Sequence, residues 1–169
     1  MARVTIRRVE DAADLDLVRG LCRDWVDWQL ETLPEHRAAI LTRFEPVAYA
    51  RELEALPKIH ARPRGAMFLA ALDGRAVGCV MYPPHADDLP GMAEIKRLFV
   101  RPDGRGHGVG RALLDAMLQA MRADGYDRVR FASARFLPHA RRLYEEMGFA
   151  DIPSLPGTPD VAYWMERPL

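Results

Sequence analysis

The chain holds 169 residues, and its 24 Lys and Arg are balanced by 24 Asp and Glu. That length makes one compact domain over 1–169 the default, with a core that needs no staples. The balanced charge argues against a dedicated nucleic-acid binder. Cys22 and Cys79 are far apart with no CxxC pair, and the five histidines show no ligand spacing, so reduced thiols and no metal site are expected.

The N-terminal stretch MARVTIRRVEDAADL has no long apolar run, so neither a secretory signal nor a membrane span is expected, and the cytoplasm is the default location. Within it, RVTIRRV (3–9) alternates branched apolar and polar residues and predicts a strand. Asp11 is placed to cap a helix whose apolar positions include Leu15, Val18, Leu21, Cys22, Trp25 and Leu30, with Pro34 near its end. A second helix is predicted over 46–56, opened by Pro46 and followed by Pro57. AMFLAALDGRAVGCVMY reads as a hairpin, because Asp73-Gly74 suits the positive φ angles of a tight turn. Pro83 and Pro84 end its second strand.

AEIKRLFV (93–100) predicts one further strand, stopped by Pro102. A glycine-rich turn follows, then an amphipathic helix over about 108–123 with Val109, Leu113, Ala116, Met117 and Ala120 on its core face. Gly125 suits its C-terminal end. RVRFAS (128–133) predicts a strand, Pro138 opens a helix that Gly148 ends, and VAYWMER (161–167) predicts a closing strand. The order β, α, α, β, β, β, α, β, α, β is that of an α/β protein with a mixed sheet.

The glycine turn, RPDGRGHGVGRALL, carries the chemistry. Gly104, Gly106, Gly108 and Gly110 all hold even positions, so no two are five apart. This excludes both the dinucleotide fingerprint GxGxxG and the nucleotide-triphosphate loop GxxxxGK[ST], each of which needs that spacing. What remains is RxxGxG between an apolar strand and a helix. Its glycines let main-chain N–H groups approach a ligand closely. The helix N-terminus favours an anion, and Arg105 and Arg111 add positive charge. A pyrophosphate fits this arrangement.

These residues resemble the GNAT superfamily of N-acetyltransferases. EIKRLFVRPDGRGHGVGRALL is similar to the family's Q/R-x-x-G-x-G/A segment after a strand, and ARRLYEEMGF (140–149) to its A-x-x-LY-x-x-x-GF segment. The resemblance implies an α/β (α+β) fold with a mixed, mostly antiparallel central sheet, flanked by helices and splayed around an acetyl-CoA site. It implies that main-chain groups of Arg105, Gly106, His107, Gly108, Val109, Gly110 and Arg111 hold the pyrophosphate. The pantetheine arm would run along Leu98, Phe99 and Val100, with Ser133 or Ala134 on the opposite wall. His139 is a weaker candidate for the phosphates. Leu137 stands where many relatives carry asparagine, which removes one polar contact to that arm.

Transfer to an amine needs a neutral nucleophile, a donor for the oxyanion and a proton for the leaving thiolate. The resemblance offers Glu94 as base; a solvated carboxylate at the strand end is the other reading. It offers Tyr144 as acid, since a phenol with a pKa near 10 is protonated at neutral pH; a core tyrosine is the other reading. A main-chain N–H near 98–100 would face the oxyanion. Lys96 and Arg97 stay unassigned, because the family's strand usually bulges there.

The expected activity is direct acetyl transfer to a small-molecule or peptide amine in a ternary complex, with no nucleic acid or membrane partner. Neither cysteine lies in a matched segment, which disfavours an acetyl-cysteine route. A non-catalytic acyl-CoA-binding sensor is the alternative. Trp25, Trp28, Glu31, Glu35, Asp87 and Asp88 could hold a cationic acceptor; ordinary surface charge and core tryptophans are the other reading. Assembly as a homodimer and the length of the acyl donor stay open.

Overall fold

The computed structural model describes residues 2–84 and 89–169, apart from the side chains of Pro138 and His139. Its strands are β1 (Val4–Arg8), β2 (Ala66–Leu72), β3 (Arg75–Tyr82), β4 (Met92–Glu94), β5 (Lys96–Val100), β6 (Arg128–Ala134), β7 (Ala150–Ile152) and β8 (Ala162–Pro168). Its helices are α1 (Ala12–Thr32), α2 (Arg37–Arg43), α3 (Pro46–Ile59), α4 (Val109–Ala123) and α5 (Pro138–Glu146). α2 and β7, both short, have no counterpart in the sequence expectation.

Local chemistry sets the helix ends. Asp11 accepts from the Asp14 amide at 2.8 Å and caps α1. Glu45 accepts from the amides of Val47 and Ala48 at the head of α3, with Pro46 in the first turn. α3 does not stop at Leu56 as expected; it runs through Pro57 to Ile59. A proline removes the N–H that would bond the carbonyl four residues back. Here that carbonyl, Leu53, accepts from Arg19 Nε of α1 at 3.0 Å, so the interruption is repaired by a distant side chain. The other turn expectations hold: Asp73 and Gly74 take φ 51 and 83 in the hairpin, and Gly125 and Gly148 take positive φ just beyond α4 and α5.

The strands form two four-stranded sheets, in the orders β1-β2-β3-β5 and β4-β6-β8-β7. Among the described residues, only the β4–β6 pair is parallel. The single strand expected over 93–100 is therefore two. Residues through Glu94 pair with β6, and the Ile95 amide still bonds the Arg130 carbonyl at 3.0 Å. From Lys96 the chain pairs with β3 instead. The register slips between Cys79 and Met81, and Arg97 takes φ 56, so a bulge lies just beyond the point of departure. Beyond it, β5 and β6 diverge, each paired on one side only.

Two apolar cores lie on opposite faces. One joins α4 and α5 to both sheets through Leu113, Met117, Phe131, Tyr144 and Met165. The other joins α1, α2 and α3 to the first sheet through Leu21, Cys22, Ile40, Leu53, Leu69 and Phe99. No helix among the described residues is long and apolar enough to cross a membrane.

Candidate functional site

The opening between β5 and β6 is a cavity of about 760 Å³. One wall is Leu98, Phe99 and Val100 of β5; the opposite one is Phe131, Ala132 and Ser133 of β6. Gly104, Arg105, Gly106, Gly108, Val109, Gly110 and Arg111 close one end, and Leu137, Ala140, Leu143 and Tyr144 come from α5 and the turn before it. The splay thus brings both halves of the sequence-predicted site to one space. His107, though inside the motif, is exposed and absent from the wall.

The glycines divide by role. Gly106 and Gly108 take φ 77 and 76, and a Cβ on either would meet nothing within 4 Å. Their backbone therefore needs a residue without a side chain while the space above it stays open to a ligand. Gly104 and Gly110 serve packing: a Cβ would come within 2.8 Å of Val77 and 3.0 Å of Leu143 respectively. The hydrogen-bond ladder of α4 begins with the Ala112 amide on the Gly108 carbonyl at 3.0 Å, so the amides of 109–111 precede the first helical bond. An anion at this turn would meet those donors and the positive end of the helix dipole. Among the described residues, no cluster of His, Cys, Asp and Glu is arranged to hold a metal ion.

The two arginines are placed differently from each other. Arg105 lies 4.5 Å over the Trp28 ring and its Nε bonds the Val100 carbonyl at 3.1 Å, while partial burial pushes its pKa down. Arg111 pairs with Glu146 at 2.9 Å, tying α4 to α5. Their side chains thus brace the turn, and its main chain presents the open donors.

Tyr144 is 4% exposed, lines the cavity and stacks on Phe131 with ring centroids 3.8 Å apart. Burial raises its phenol well above the usual value near 10, with a smaller push from Tyr163, so it is a proton donor across the neutral range. Glu94 ends β4, is 7% exposed and does not line the cavity. Its carboxylate pairs with Lys96 Nζ and stands 3.7 Å from Arg130 Nε. Because the bulge begins after Lys96, Glu94 and Lys96 keep a common face and meet there. The Arg97 guanidinium is turned to the other core, where it pairs with Glu52 and donates to the Tyr49 hydroxyl at 2.9 Å.

Of the acceptor candidates, Trp25 and Trp28 line this cavity, together with Thr32 and Leu33 at the end of α1. Glu31 and Glu35 are exposed and off its wall. Asp87 and Asp88 lie outside the described residues, as does the side chain of His139. Phe136, stacked on His36 at 4.3 Å, is a wall residue the sequence did not point to. Cys22 and Cys79 are buried, unbridged and away from the wall.

Known proteins resemble this chain in sequence and in fold. The model of the acetyltransferase (GNAT) family matches residues 23–149. The chain is 34% identical to an IAA acetyltransferase of Azospirillum brasilense over 111 residues, 64% of this chain and 71% of that protein. It is 38% identical over 88 residues to an uncharacterized N-acetyltransferase of Schizosaccharomyces pombe, spanning about half of each chain. The PaiA N-acetyltransferase of Thermoplasma acidophilum, solved in complex with coenzyme A, shares the fold: TM-score 0.73, 18% identity, 99% of both chains.

Proposed function

The chain belongs to the GNAT acetyltransferase family, and from that premise we propose that it is an acetyl-CoA-dependent N-acetyltransferase, one domain over 1–169, acting on a primary amine in the cytoplasm. The observation that carries this reading is the continuous cavity from the open glycine turn, between the parted edges of β5 and β6, to Tyr144. A compact binding module needs the glycine turn. It has no need of a buried phenol at the far end of the same space, and that phenol favours the enzyme over the acyl-CoA sensor.

Acetyl-CoA supplies an activated acetyl group on a thioester. Of the expected donors Arg105 to Arg111, the Arg105 amide is taken by the Pro102 carbonyl at 3.2 Å, so main-chain groups of 106–111 bind the pyrophosphate, and the exposed edge of β5 takes the arm as an added strand would, with Ser133 opposite. Tyr144 gives its proton to the departing thiolate. Glu94 receives the amine proton through water, since Ile95 rather than Glu94 reaches the wall. A main-chain N–H of 98–100 faces the developing oxyanion.

The test is an amine panel assayed for released coenzyme A thiol, alongside calorimetric titration with coenzyme A. Binding with turnover of at least one amine is expected. Binding without turnover across a broad panel would support the sensor, and absence of binding would overturn the reading.

A further inference from the structure

A second cavity, about 500 Å³, adjoins the first. Leu137 lines both. Ser133, on the wall of the first, is the cross-strand partner of Tyr163, on the wall of the second. Neighbouring strands lie about 4.8 Å apart, so a molecule of amino-acid size spans the step between them.

The lining of this second space is polar and unevenly satisfied. Arg141 is occupied: it bonds Asp151 at 2.6 Å and Glu145 at 2.9 Å, and its guanidinium lies 4.9 Å over the Tyr163 ring. Asp151, the one carboxylate among the described wall residues, is held low by its bond to Arg141 and, at longer range, by the charge of Arg135. Arg135 is anchored through its backbone, the amide on the Val161 carbonyl at 2.7 Å, and through Nε to the Asp160 carbonyl at 3.4 Å. Among the described residues no carboxylate stands within ion-pair distance of Arg135. The Tyr163 hydroxyl is buried with no hydrogen bond of ordinary geometry; Ser133 is near enough to lower its pKa, but burial prevails and raises it. A buried donor left unmade is expensive. Among the described residues, the wall thus offers one guanidinium without an ion pair and one buried hydroxyl without an ordinary hydrogen bond, with Ser154 beside them.

We propose that this second cavity receives a carboxylate carried by the acceptor, which makes the acceptor an amino-acid-like amine. Among the described residues the Arg135 guanidinium has no ion pair, and its planar fork matches a carboxylate. Arg135 supplies the charged donors and Tyr163 a fixed neutral donor, while the amine reaches past Leu137 and Ser133 to the first cavity. The inference rests on the acetyltransferase reading for the amine's fate, but not for the carboxylate's binding.

The experiment has two arms on the full chain. In the first, L-amino acids and their amides are titrated against tryptophan fluorescence, since Trp164 lines this cavity, with Trp164→Phe as the blank. In the second, kcat/KM is measured for each acid and amide by release of coenzyme A thiol. At least one acid is expected to bind, and to react, tenfold or more better than its amide. In Arg135→Gln the acid-to-amide ratio should fall roughly 10- to 100-fold, the range for a hydrogen bond to a charged group, with coenzyme A affinity unchanged. Tyr163→Phe, which keeps the ring, should lower the ratio several-fold. Acids and amides that bind and react alike, or a ratio unmoved in both variants, would overturn the proposal. A chain that binds no coenzyme A would sink the acetyltransferase reading, and the fluorescence arm would still decide this one.

Discussion

Gly108→Trp separates the glycine turn's role in the fold from its role in binding. Gly108 stands at the head of α4 with φ 76, and a Cβ there meets nothing within 4 Å. The substitution therefore adds left-handed strain of about 1–2 kcal/mol but no clash at Cβ. At about 2–4 °C per kcal/mol for a chain of this size, the unliganded Tm should fall by roughly 2–8 °C. Coenzyme A at a hundred times its Kd stabilises the parent by about 2.7 kcal/mol, an upward shift of roughly 5–11 °C. The indole occupies the space above the turn, so the variant should lose that shift. Differential scanning fluorimetry with and without coenzyme A reads both numbers. Gly104→Ala is the converse control. Its Cβ would lie 2.8 Å from the Val77 Cβ, so overpacking lowers stability by about 1–3 kcal/mol while the coenzyme A shift persists. A Gly108→Trp protein that keeps the full shift would show that the phosphates bind elsewhere.

Glu94→Gln and Tyr144→Phe should each lower kcat by about 10²–10⁴ with coenzyme A affinity unchanged by calorimetry; an unchanged kcat removes that residue from the mechanism. Since burial raises the Tyr144 phenol, loss of this acid should not limit kcat below about pH 10. Arg19→Ala should cost about 1–2 kcal/mol in urea unfolding, because the Leu53 carbonyl loses the donor that replaces Pro57's missing N–H; an unchanged midpoint would mean water serves as well. Burial lowers the pKa of His60 to about 4. A base depressed in the folded state stabilises above its unfolded pKa near 6.5 and loses that contribution as pH falls to 4, about 3 kcal/mol in all. His60→Gln should flatten that arm of the stability–pH curve, and an arm of undiminished slope would refute the assignment.

The elements legible in the sequence are those fixed by neighbours in the chain. Asp11, Asp73-Gly74, Gly125 and Gly148 act within a few residues of themselves, and each sits where its turn or cap chemistry puts it. The glycine turn is legible because even spacing is a property of the string. What stays hidden depends on distant partners. Pro57 reads as a stop unless Arg19 is known to reach Leu53, 34 residues further along the chain. AEIKRLFV reads as one strand, since apolar alternation says nothing about which neighbour each half will pair with. The second cavity has no sequence signal: Arg135, Ser154 and Tyr163 meet only when β6, β8 and the segment after β7 are brought together.

The change of partner within AEIKRLFV is also what creates the site. A straight strand over 93–100 would pair with β6 along its whole length and close the sheet. The chain instead leaves β6 after Ile95 and pairs with β3 from Lys96, with the extra residue at Arg97 just beyond, and a non-glycine residue at φ 56 is unfavourable unless its surroundings hold it. They do. The guanidinium is fixed by Glu52 and Tyr49 from α3, and the Arg97 carbonyl accepts from the Cys79 thiol at 3.7 Å. The helices on the face away from α4 thus hold open the gap that α4 and α5 furnish. Loss of the Arg97 anchor should therefore act on binding through the width of the gap, although its guanidinium contacts the other core. This is the physical reason that the two halves of the chain, each partly legible alone, make the candidate site only together.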